Sequence, residues 1–361
     1  MTEEVIHGTT ETVKFTLHPS TLIQAPMAGV STPQLAAAVS NAGGVGSIGI
    51  GAMNLTQARD ALLQTRQLTA HPFNVNVFCH APAQHDAVRA TAWLQHLRPL
   101  FAEFGASPPP HLAEIYLSFR ENRDQLALLC ALRPAVVSFH FGIPDAAVIT
   151  QLRQHGIYTM ATATNSTEAQ SIARAGIDAI VAQGIEAGGH RGMFDPHAHD
   201  QALTTVALVR QLATETTLPL IAAGGIMDGR DMALALAAGA QAVQLGTAFL
   251  RCPEAATSPA YRAHLLRATA ADTVLTSAIS GRPARGLHNR LIAHGAAPHA
   301  PLPPDYPLAY DAAKQLHHVA ITHQNNDMAA HWAGTGVARI RTWPDAGTLV
   351  TTLKAELHAL R

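Results

Sequence analysis

Eight short apolar runs alternate along the chain, mostly with stretches of helical periodicity, and this alternation strongly limits the possible folds. The runs cover residues 22–29, 45–51, 73–79, 135–142, 158–164, 179–185, 219–226 and 242–250. Because the runs are apolar on both faces, they are typical of buried strands in a parallel sheet. Eight strand–helix units in about 250 residues predict an α/β fold, a (β/α)8 TIM barrel.

Local boundary signals support the helices between these runs. Helices are predicted over residues 33–42, 55–69, 167–175 and 230–238, with a closing amphipathic helix over 344–360. Asn54 is suited to cap the second of them, and Gly43, Gly176 and Gly239 directly follow the ends of three others. Such residues are the usual start and stop signals of helices.

Two segments interrupt this alternation. Residues 80–134 carry their own helical patterns and a proline break, and residues 251–336 are richer in His, Pro and polar side chains. A chain of 361 residues could also form two ordinary domains. The strand count favours one barrel made of residues 1–250 and 337–361. Residues 251–336 are then expected to form a smaller, mostly helical cap domain that covers the substrate.

Charge and cysteine usage exclude several classes of protein. Lys and Arg number 24 against 25 Asp and Glu, so no broad basic field exists to hold nucleic acid or a membrane surface. Cys79, Cys130 and Cys252 form no C-x-x-C pair, which fits a reducing cytoplasm. The acidic amino terminus lacks the features of a signal peptide, and the apolar stretches are too short to span a bilayer. We expect a cytoplasmic protein that starts at or near Met1.

Polar residues at the ends of the apolar runs mark where chemistry is expected. In a TIM barrel, ligand groups lie at the carboxyl ends of the strands and in the loops that follow. That rule selects Asn74 and Asn76, His140, Gln183 and Gln244. Buried amides need partners, because an unpaired one costs about 1–3 kcal/mol. A bound planar heterocycle with several donors and acceptors would provide those partners.

Glycines after the seventh and eighth runs predict a phosphate site. Gly224, Gly225 and Gly246 with Thr247 leave backbone N–H groups uncovered, and the helix from Arg230 could add its positive end. The alternative is that these glycines only shape the loops. A G-x-G-x-x-G pattern at 44–49 precedes an apolar run, whereas the dinucleotide fingerprint follows a strand. We interpret these glycines as letting the second strand pass close to a ligand or to a neighbouring stretch of chain.

Two histidines are candidates for the chemistry. His190 follows Gly188 and Gly189 after the sixth run, where an imidazole could act as a base near neutral pH. The alternative is an exposed loop histidine. His140, at the end of the fourth run, is equally compatible with positioning a ligand and with a core role.

The lysine content points to an anionic substrate. Only Lys14, Lys314 and Lys354 occur, and Tyr306, Tyr310 and Lys314 follow the spacing i, i+4, i+8 expected for one face of a cap helix. Such donors bind oxyanions, although a packing stripe is the alternative.

The histidine-rich segments are not expected to bind metal. The cluster of Asp195, His197, His199 and Asp200 matches no defined zinc spacing, so no metal site is predicted. His317, His318 and His323 are expected on the surface.

Taken together, the motifs resemble the first class of the nitronate monooxygenase family, formerly called 2-nitropropane dioxygenases. The matching segments are QAPMAGVSTPQLAAAVSNAGGVGSIG at 24–49, FNVNVFC at 73–79, VSFHFG at 137–142, AQGIEAGGHRG at 182–192, AAGGIMDGR at 222–230, QLGTAFL at 244–250 and the segment holding Tyr306, Tyr310 and Lys314. They span most of the chain.

The resemblance implies an FMN-containing barrel that oxidises alkyl nitronates with O₂ to a carbonyl compound and nitrite, without a nicotinamide cofactor. Propionate 3-nitronate is the substrate expected for this class. The resemblance implies that the flavin contacts Met27, Ala28, Gly29, Asn76 and Gln183, and that its phosphate contacts Gly188, Gly225, Gln244, Leu245, Gly246 and Thr247. It implies His190 as the active-site base, and His140, Tyr306, Tyr310 and Lys314 as the substrate pocket.

Two alternatives stay open. One is an FMN-dependent NAD(P)H reductase acting on a quinone or an enoyl thioester, on the same barrel. The other is a flavin-binding protein without enzymatic activity. We expect a monomer or a homodimer that binds a small anionic substrate and O₂, and neither nucleic acid nor a membrane.

Overall fold

The computed structural model describes residues 15–360, and eight parallel strands in it form a ring. The strands in chain order are β1 (Thr21–Gln24), β2 (Gly46–Gly49), β3 (Phe73–Phe78), β4 (Val136–His140), β5 (Tyr158–Ala163), β6 (Ala179–Gln183), the short β7 (Gly189–His190), β8 (Leu220–Ala223) and β9 (Ala242–Leu245). All except β7 belong to the ring, in the order β1-β9-β8-β6-β5-β4-β3-β2. Val45 closes it, because its N–H donates to Leu22 O and its carbonyl accepts from Gln24 N, both at 2.9 Å. The predicted TIM barrel is confirmed.

Most helices of the described residues lie around the outside of the ring, and three lie over the carboxyl ends of its strands. The helices are α1 (Pro33–Asn41), α2 (Leu55–Leu68), α3 (Ala87–Ala102), α4 (Arg123–Leu132), α5 (Ala146–Gln154), α6 (Ser166–Arg174), α7 (Thr205–Glu215), α8 (Gly229–Ala237), α9 (Pro259–Arg267), α10 (Arg290–Gly295), α11 (Leu308–Thr322) and α12 (Ala346–His358). The predicted cap of α2 is confirmed, since Asn54 accepts a hydrogen bond from Gln57 N in a reciprocal capping box. The closing helix begins at Ala346, two residues later than predicted, because Asp345 caps it.

Apolar side chains fill both the inside of the ring and the layer between strands and helices. Ile23, Met160 and Ile221 belong to the inner cluster, and the outer cluster joins the strands to α1, α2 and α12. A Cβ on Gly46 would lie 1.9 Å from Ala36 O in α1. The glycine pattern at 44–49 therefore permits a close helix–strand contact, as we interpreted it.

A second layer covers the carboxyl ends of the strands. It contains α9, α10 and α11 and the antiparallel strands β10 (Thr273–Thr276) and β11 (Ala284–Leu287), and β11 also pairs with β7. Trp93 and Leu97 of α3 pack in one cluster with Ile292 and Leu316 of this layer. The cover therefore draws on residues from both interruptions and includes strands as well as helices. None of the helices within residues 15–360 is long and apolar enough to cross a membrane.

Candidate active site

A cavity of about 690 Å³ lies between the carboxyl ends of the barrel strands and the cover. It gathers the residues that the resemblance implied for the site: Met27, Ala28, Gly29, Asn76, His140, Gln183, Gly188, His190, Gly225, Gln244, Leu245, Gly246, Thr247, Tyr306, Tyr310 and Lys314. Asn74 does not line it, so its selection from the sequence was wrong; its Nδ2 donates to Ser47 Oγ at 3.1 Å. Tyr116, Tyr261 and Trp332 also line the cavity. Residues from strand ends and from the cover thus share one space large enough for a small-molecule ligand.

One end of the cavity is formed by backbone without side chains. We call Gly188, Gly225, Gly246 and Gly336 the glycine cradle. A Cβ on Gly188 would lie 2.5 Å from the Gly334 nitrogen, and Gly225 has a φ of +71°, in the left-handed region that favours glycine. All four glycines line the cavity, so a ligand there meets main chain, as phosphate groups do in such loops.

The contribution of Gly334–Gly336 to this end was missed in the sequence. Thr335 N donates to Glu186 O at 3.0 Å, and Gly334 N donates to Thr247 Oγ1 at 2.9 Å. The Gly-Thr-Gly tripeptide just before the chain returns to the barrel was the signal that could have identified it. The glycines let this segment cross the loops after β6 and β9 in backbone contact.

The helix after β8 does not contribute its amino terminus as predicted. Gly229 N at the start of α8 donates to Glu356 Oε2 at 2.9 Å, and Asp231 N donates to Asp228 Oδ1 at 3.0 Å. Carboxylates of this chain thus occupy the positive end of the helix. The expectation that α8 supports the phosphate was wrong, because α12 brings Glu356 to that position.

His190 lies on β7 inside an aromatic enclosure. Its Nε2 is 2.8 Å from Ser280 Oγ, and the Trp332 and Phe141 rings lie 5.2 and 5.5 Å from its ring. Burial lowers the pKa of His190 to about 3, with further lowering from His140 and Arg282. The imidazole is neutral at physiological pH and is not the exposed loop histidine of the alternative interpretation.

His140 supports the backbone of His190. Its Nε2 lies 3.2 Å from His190 O, and its Nδ1 lies 3.0 Å from Thr162 Oγ1. Burial lowers the pKa of His140 to about 4. With both ring nitrogens engaged by the protein, His140 lines the cavity but is less available for proton transfer than His190.

Two strand-end amides face the same cavity. Asn76 Nδ2 donates to Ser138 Oγ at 2.8 Å, and its Oδ1 accepts no hydrogen bond from residues 15–360. Gln183 Nε2 donates to His190 O at 3.0 Å, while its Oε1 accepts from Gly192 N at 2.8 Å. Asn76 therefore retains an acceptor for a ligand, and Gln183 ties β6 to the loop that carries His190.

The phenols and the lysine come together, although not from one helix. Tyr306 precedes α11, which starts at Leu308, so the predicted helical spacing of all three residues was wrong. A cis Tyr306–Pro307 peptide joins Tyr306 to the helix. Lys314 Nζ lies 5.1 Å from the Tyr310 ring and 5.6 Å from the Tyr116 ring. No carboxylate within the described residues forms an ion pair with it.

Burial keeps the phenols protonated. It raises the pKa of Tyr116 to about 12 and also raises the pKa values of Tyr306 and Tyr310. The hydroxyls are therefore hydrogen-bond donors at neutral pH. Together with Lys314 they offer an anion one positive charge and several donors.

The histidine-rich loops have structural contacts. Asp200 forms a bidentate ion pair with buried Arg191, and His197 Nε2 lies 3.5 Å from Asp305 Oδ1. Over residues 15–360, no three His, Cys, Asp or Glu side chains are placed to hold a metal ion. His318 and His323 are exposed, but His317 is half-buried, so the surface prediction was wrong for His317.

Comparisons with known proteins agree with one another. A sequence model described as nitronate monooxygenase matches residues 11–356. The nitronate monooxygenase of Paraburkholderia phytofirmans is 55% identical over 93% of this chain and 92% of its own length. That of Pseudomonas aeruginosa is 54% identical over 93% and 96%.

A solved structure supports the same relationship. Nitroalkane oxidase from Streptomyces ansochromogenes superimposes with a TM-score of 0.85 at 38% identity, covering 95% of this chain and 97% of that one. The likeness holds over the barrel and the cover. The chain belongs to the nitronate monooxygenase family.

Proposed function

We propose that this protein is an FMN-dependent nitronate monooxygenase that oxidises alkyl nitronates with O₂ to a carbonyl compound and nitrite. The observation that carries the proposal is one cavity that has the glycine cradle at one end and, at the other, His190, Tyr306, Tyr310 and Lys314. We call these four side chains the donor wall. Relatives at 54–55% identity named nitronate monooxygenase support this reaction over the reductase alternative. Propionate 3-nitronate is the proposed substrate.

The residues of the cavity fit a flavin mononucleotide. A cradle without side chains suits one phosphate group, and Asn76 Oδ1 would accept a hydrogen bond from the ring system. Met27, Ala28 and Gly29 would lie along the ring, and Gln183 would add a donor. When bound, FMN accepts electrons from the substrate and passes them to O₂.

The donor wall fits an anionic substrate. A nitronate has already lost its carbon-bound proton, so its oxidation needs no strong base. Lys314 and the hydroxyls of Tyr306 and Tyr310 would hold its oxygens or a carboxylate on its tail. We propose Lys314 as the residue that selects carboxylated nitronates.

Neutral nitroalkanes need an additional step. Their carbon-bound proton must be removed, and we propose neutral His190 as the acceptor. Because burial lowers the pKa of His190 to about 3, the driving force for this transfer is small. We therefore expect neutral nitroalkanes to react more slowly than nitronates.

The cover, the compartment and the assembly are also proposals. We propose residues 1–250 and 337–361 as the cofactor domain and 251–336 as the substrate-covering domain, with α3 as an added support. Buried free thiols at Cys79, Cys130 and Cys252 support a reducing cytoplasm. A monomer or homodimer is the proposed assembly, which sedimentation of the holoprotein would test.

The test combines identification of the chromophore with an assay. The purified protein should show a flavin spectrum, and mass spectrometry of the heat-released chromophore should identify FMN. Oxygen uptake and nitrite release should both start on addition of propionate 3-nitronate. Release of FAD would contradict the cofactor assignment, and absence of nitrite from a flavin-loaded protein would contradict the activity.

A further inference from the structure

Ser280 contacts the proposed base from outside the cavity. Its side chain is fully buried, it does not line the cavity, and its Oγ lies 2.8 Å from His190 Nε2. Nδ1 of His190 forms no hydrogen bond with any residue in 15–360. Ser280 thus holds one ring nitrogen and leaves the other to the cavity side.

The other contacts of Ser280 favour one direction for this hydrogen bond. Ser280 Oγ donates to Arg282 O at 3.2 Å and accepts from Arg282 N at 3.3 Å. A hydroxyl has one proton to donate and two lone pairs. When the hydroxyl donates to Arg282 O, it accepts from both Arg282 N and His190 Nε2, and this arrangement requires the His190 proton on Nε2.

The segment that carries Ser280 is held firmly on both sides. Arg282 Nη1 donates to Met193 O at 2.7 Å, and Arg191 N donates to Pro283 O at 2.8 Å. Gly281 has a φ of +86°, and a Cβ there would lie 2.2 Å from Pro304 O. Ser280 is therefore positioned by the cover and by the β7 loop together.

We propose that Ser280 is a positioning residue that fixes His190 in its Nε2–H form, so that Nδ1 accepts the proton from a neutral nitroalkane. This inference rests on the proposed function. In the step, the C–H bond breaks and its electron pair forms the C=N bond of the nitronate, while the N=O π pair moves onto a nitro oxygen and the proton forms a bond to Nδ1. The resulting imidazolium still donates from Nε2 to Ser280 Oγ.

The test compares Ser280→Ala with Ser280→Thr, which retains the hydroxyl, and with Ser277→Ala, a matched control in the same loop. We expect Ser280→Ala to lower kcat/KM for nitroethane about tenfold and to leave that for propionate 3-nitronate within about twofold. Ser280→Thr should recover activity with nitroethane, and Ser277→Ala should change neither. Equal losses with both substrates, or none with nitroethane, would overturn the positioning role.

A second readout does not depend on turnover. ¹⁵N NMR of the histidine-labelled holoenzyme should show an unprotonated Nδ1 for His190, identified by its absence in His190→Asn. A protonated Nδ1 in the wild-type protein would overturn the inference even if Ser280→Ala fails to fold. If the wild-type enzyme releases nitrite from the nitronate but not from nitroethane, the inference about Ser280 is overturned and the proposed function still stands. Release from neither substrate would contradict the proposed function itself.

Discussion

The two ends of the cavity are built from different parts of the chain. The glycine cradle is backbone from the loops after β6, β8 and β9 and from Gly336, whereas the donor wall consists of side chains on β7 and the cover. A backbone surface offers the same N–H groups whatever the neighbouring side chains are. The cradle therefore suits a cofactor that is always the same, and the wall suits a substrate that can differ with the side chains present.

The same difference predicts how each end fails. An added Cβ would collide with main chain at Gly188 and crowd side chains at Gly225 and Gly336, whereas at Gly246 it would make an ordinary contact. A changed side chain in the wall removes one charge or one hydrogen bond and leaves the others in place. Substitutions in the cradle should therefore weaken cofactor binding, most strongly at Gly188, and substitutions in the wall should change which substrates are accepted.

The largest effect is expected for Gly188→Ala. Its Cβ would lie 2.5 Å from Gly334 N, so the segment 334–336 must move. We expect the FMN affinity to fall by more than about 100-fold, with a lower melting temperature. Gly246→Ala is the matched variant, because its Cβ would meet Ala25 Cβ at an ordinary 3.5 Å.

Gly246→Ala should retain the fold and still bind FMN more weakly, because the new methyl group takes space from the phosphate. Fluorescence titration of the apoprotein with FMN measures both affinities. Wild-type affinity in both variants would disprove the cradle as the phosphate site.

His190→Asn should separate the two substrate classes. Without the imidazole, the carbon-bound proton of a neutral nitroalkane has no acceptor, so kcat/KM for nitroethane should fall about 100-fold. Oxidation of propionate 3-nitronate should be largely spared. A comparable collapse with both substrates would show that His190 binds the nitronate or supports the structure.

Acid should destabilise the packing behind Tyr306 through a buried imidazole that does not itself line the cavity. His80, 5.0 Å from the Tyr306 ring, is 1% exposed, and burial and Arg282 lower its pKa to about 4. Below pH 6.5 His80 becomes protonated in the unfolded chain but stays neutral in the folded protein. Its contribution to the free energy of unfolding is therefore fully present above pH 6.5 and is lost progressively as the pH falls to 4.

At pH 5 the loss attributable to His80 is about 2 kcal/mol. Urea unfolding at pH 7.5 and pH 5 measures it, and His80→Gln should show a smaller drop between the two. An equal drop in wild type and variant would show that His80 does not contribute to the acid sensitivity.

Lys314→Met should produce the smallest of these effects. Loss of the charge at the cavity should raise KM for propionate 3-nitronate about tenfold and change KM much less for an alkyl nitronate that carries no carboxylate. Lys354→Met is the control, since Lys354 donates to Gly43 O. Equal losses on both nitronates would refute a carboxylate-binding role.

The parts of the protein that the sequence predicted depend on local chemistry. Buried strands are recognisable because they are apolar on both faces, and α2 because its cap lies within three residues of Gln57. The rule that ligands gather at strand ends then brought Asn76, Gln183 and Gly246 into one site. Each of these inferences uses only neighbours in the chain or a property of the whole fold.

The parts that were missed depend on distant contacts. Glu356 reaches the start of α8 from 127 residues away, and Ser280 reaches His190 from 90 residues away. Gly336 joins the cradle only because the cover folds back onto the barrel. No local pattern encodes such pairings, since they arise from how separate segments pack.

Anaerobic mixing of the FMN-loaded protein with one reductant at a time tests the central claim most directly. We expect propionate 3-nitronate to bleach the flavin absorbance rapidly and NADH to leave it unchanged, because the donor wall suits a small anion. Rapid bleaching by NADH, with none by the nitronate, would contradict the proposed nitronate oxidation and identify the protein as a reductase.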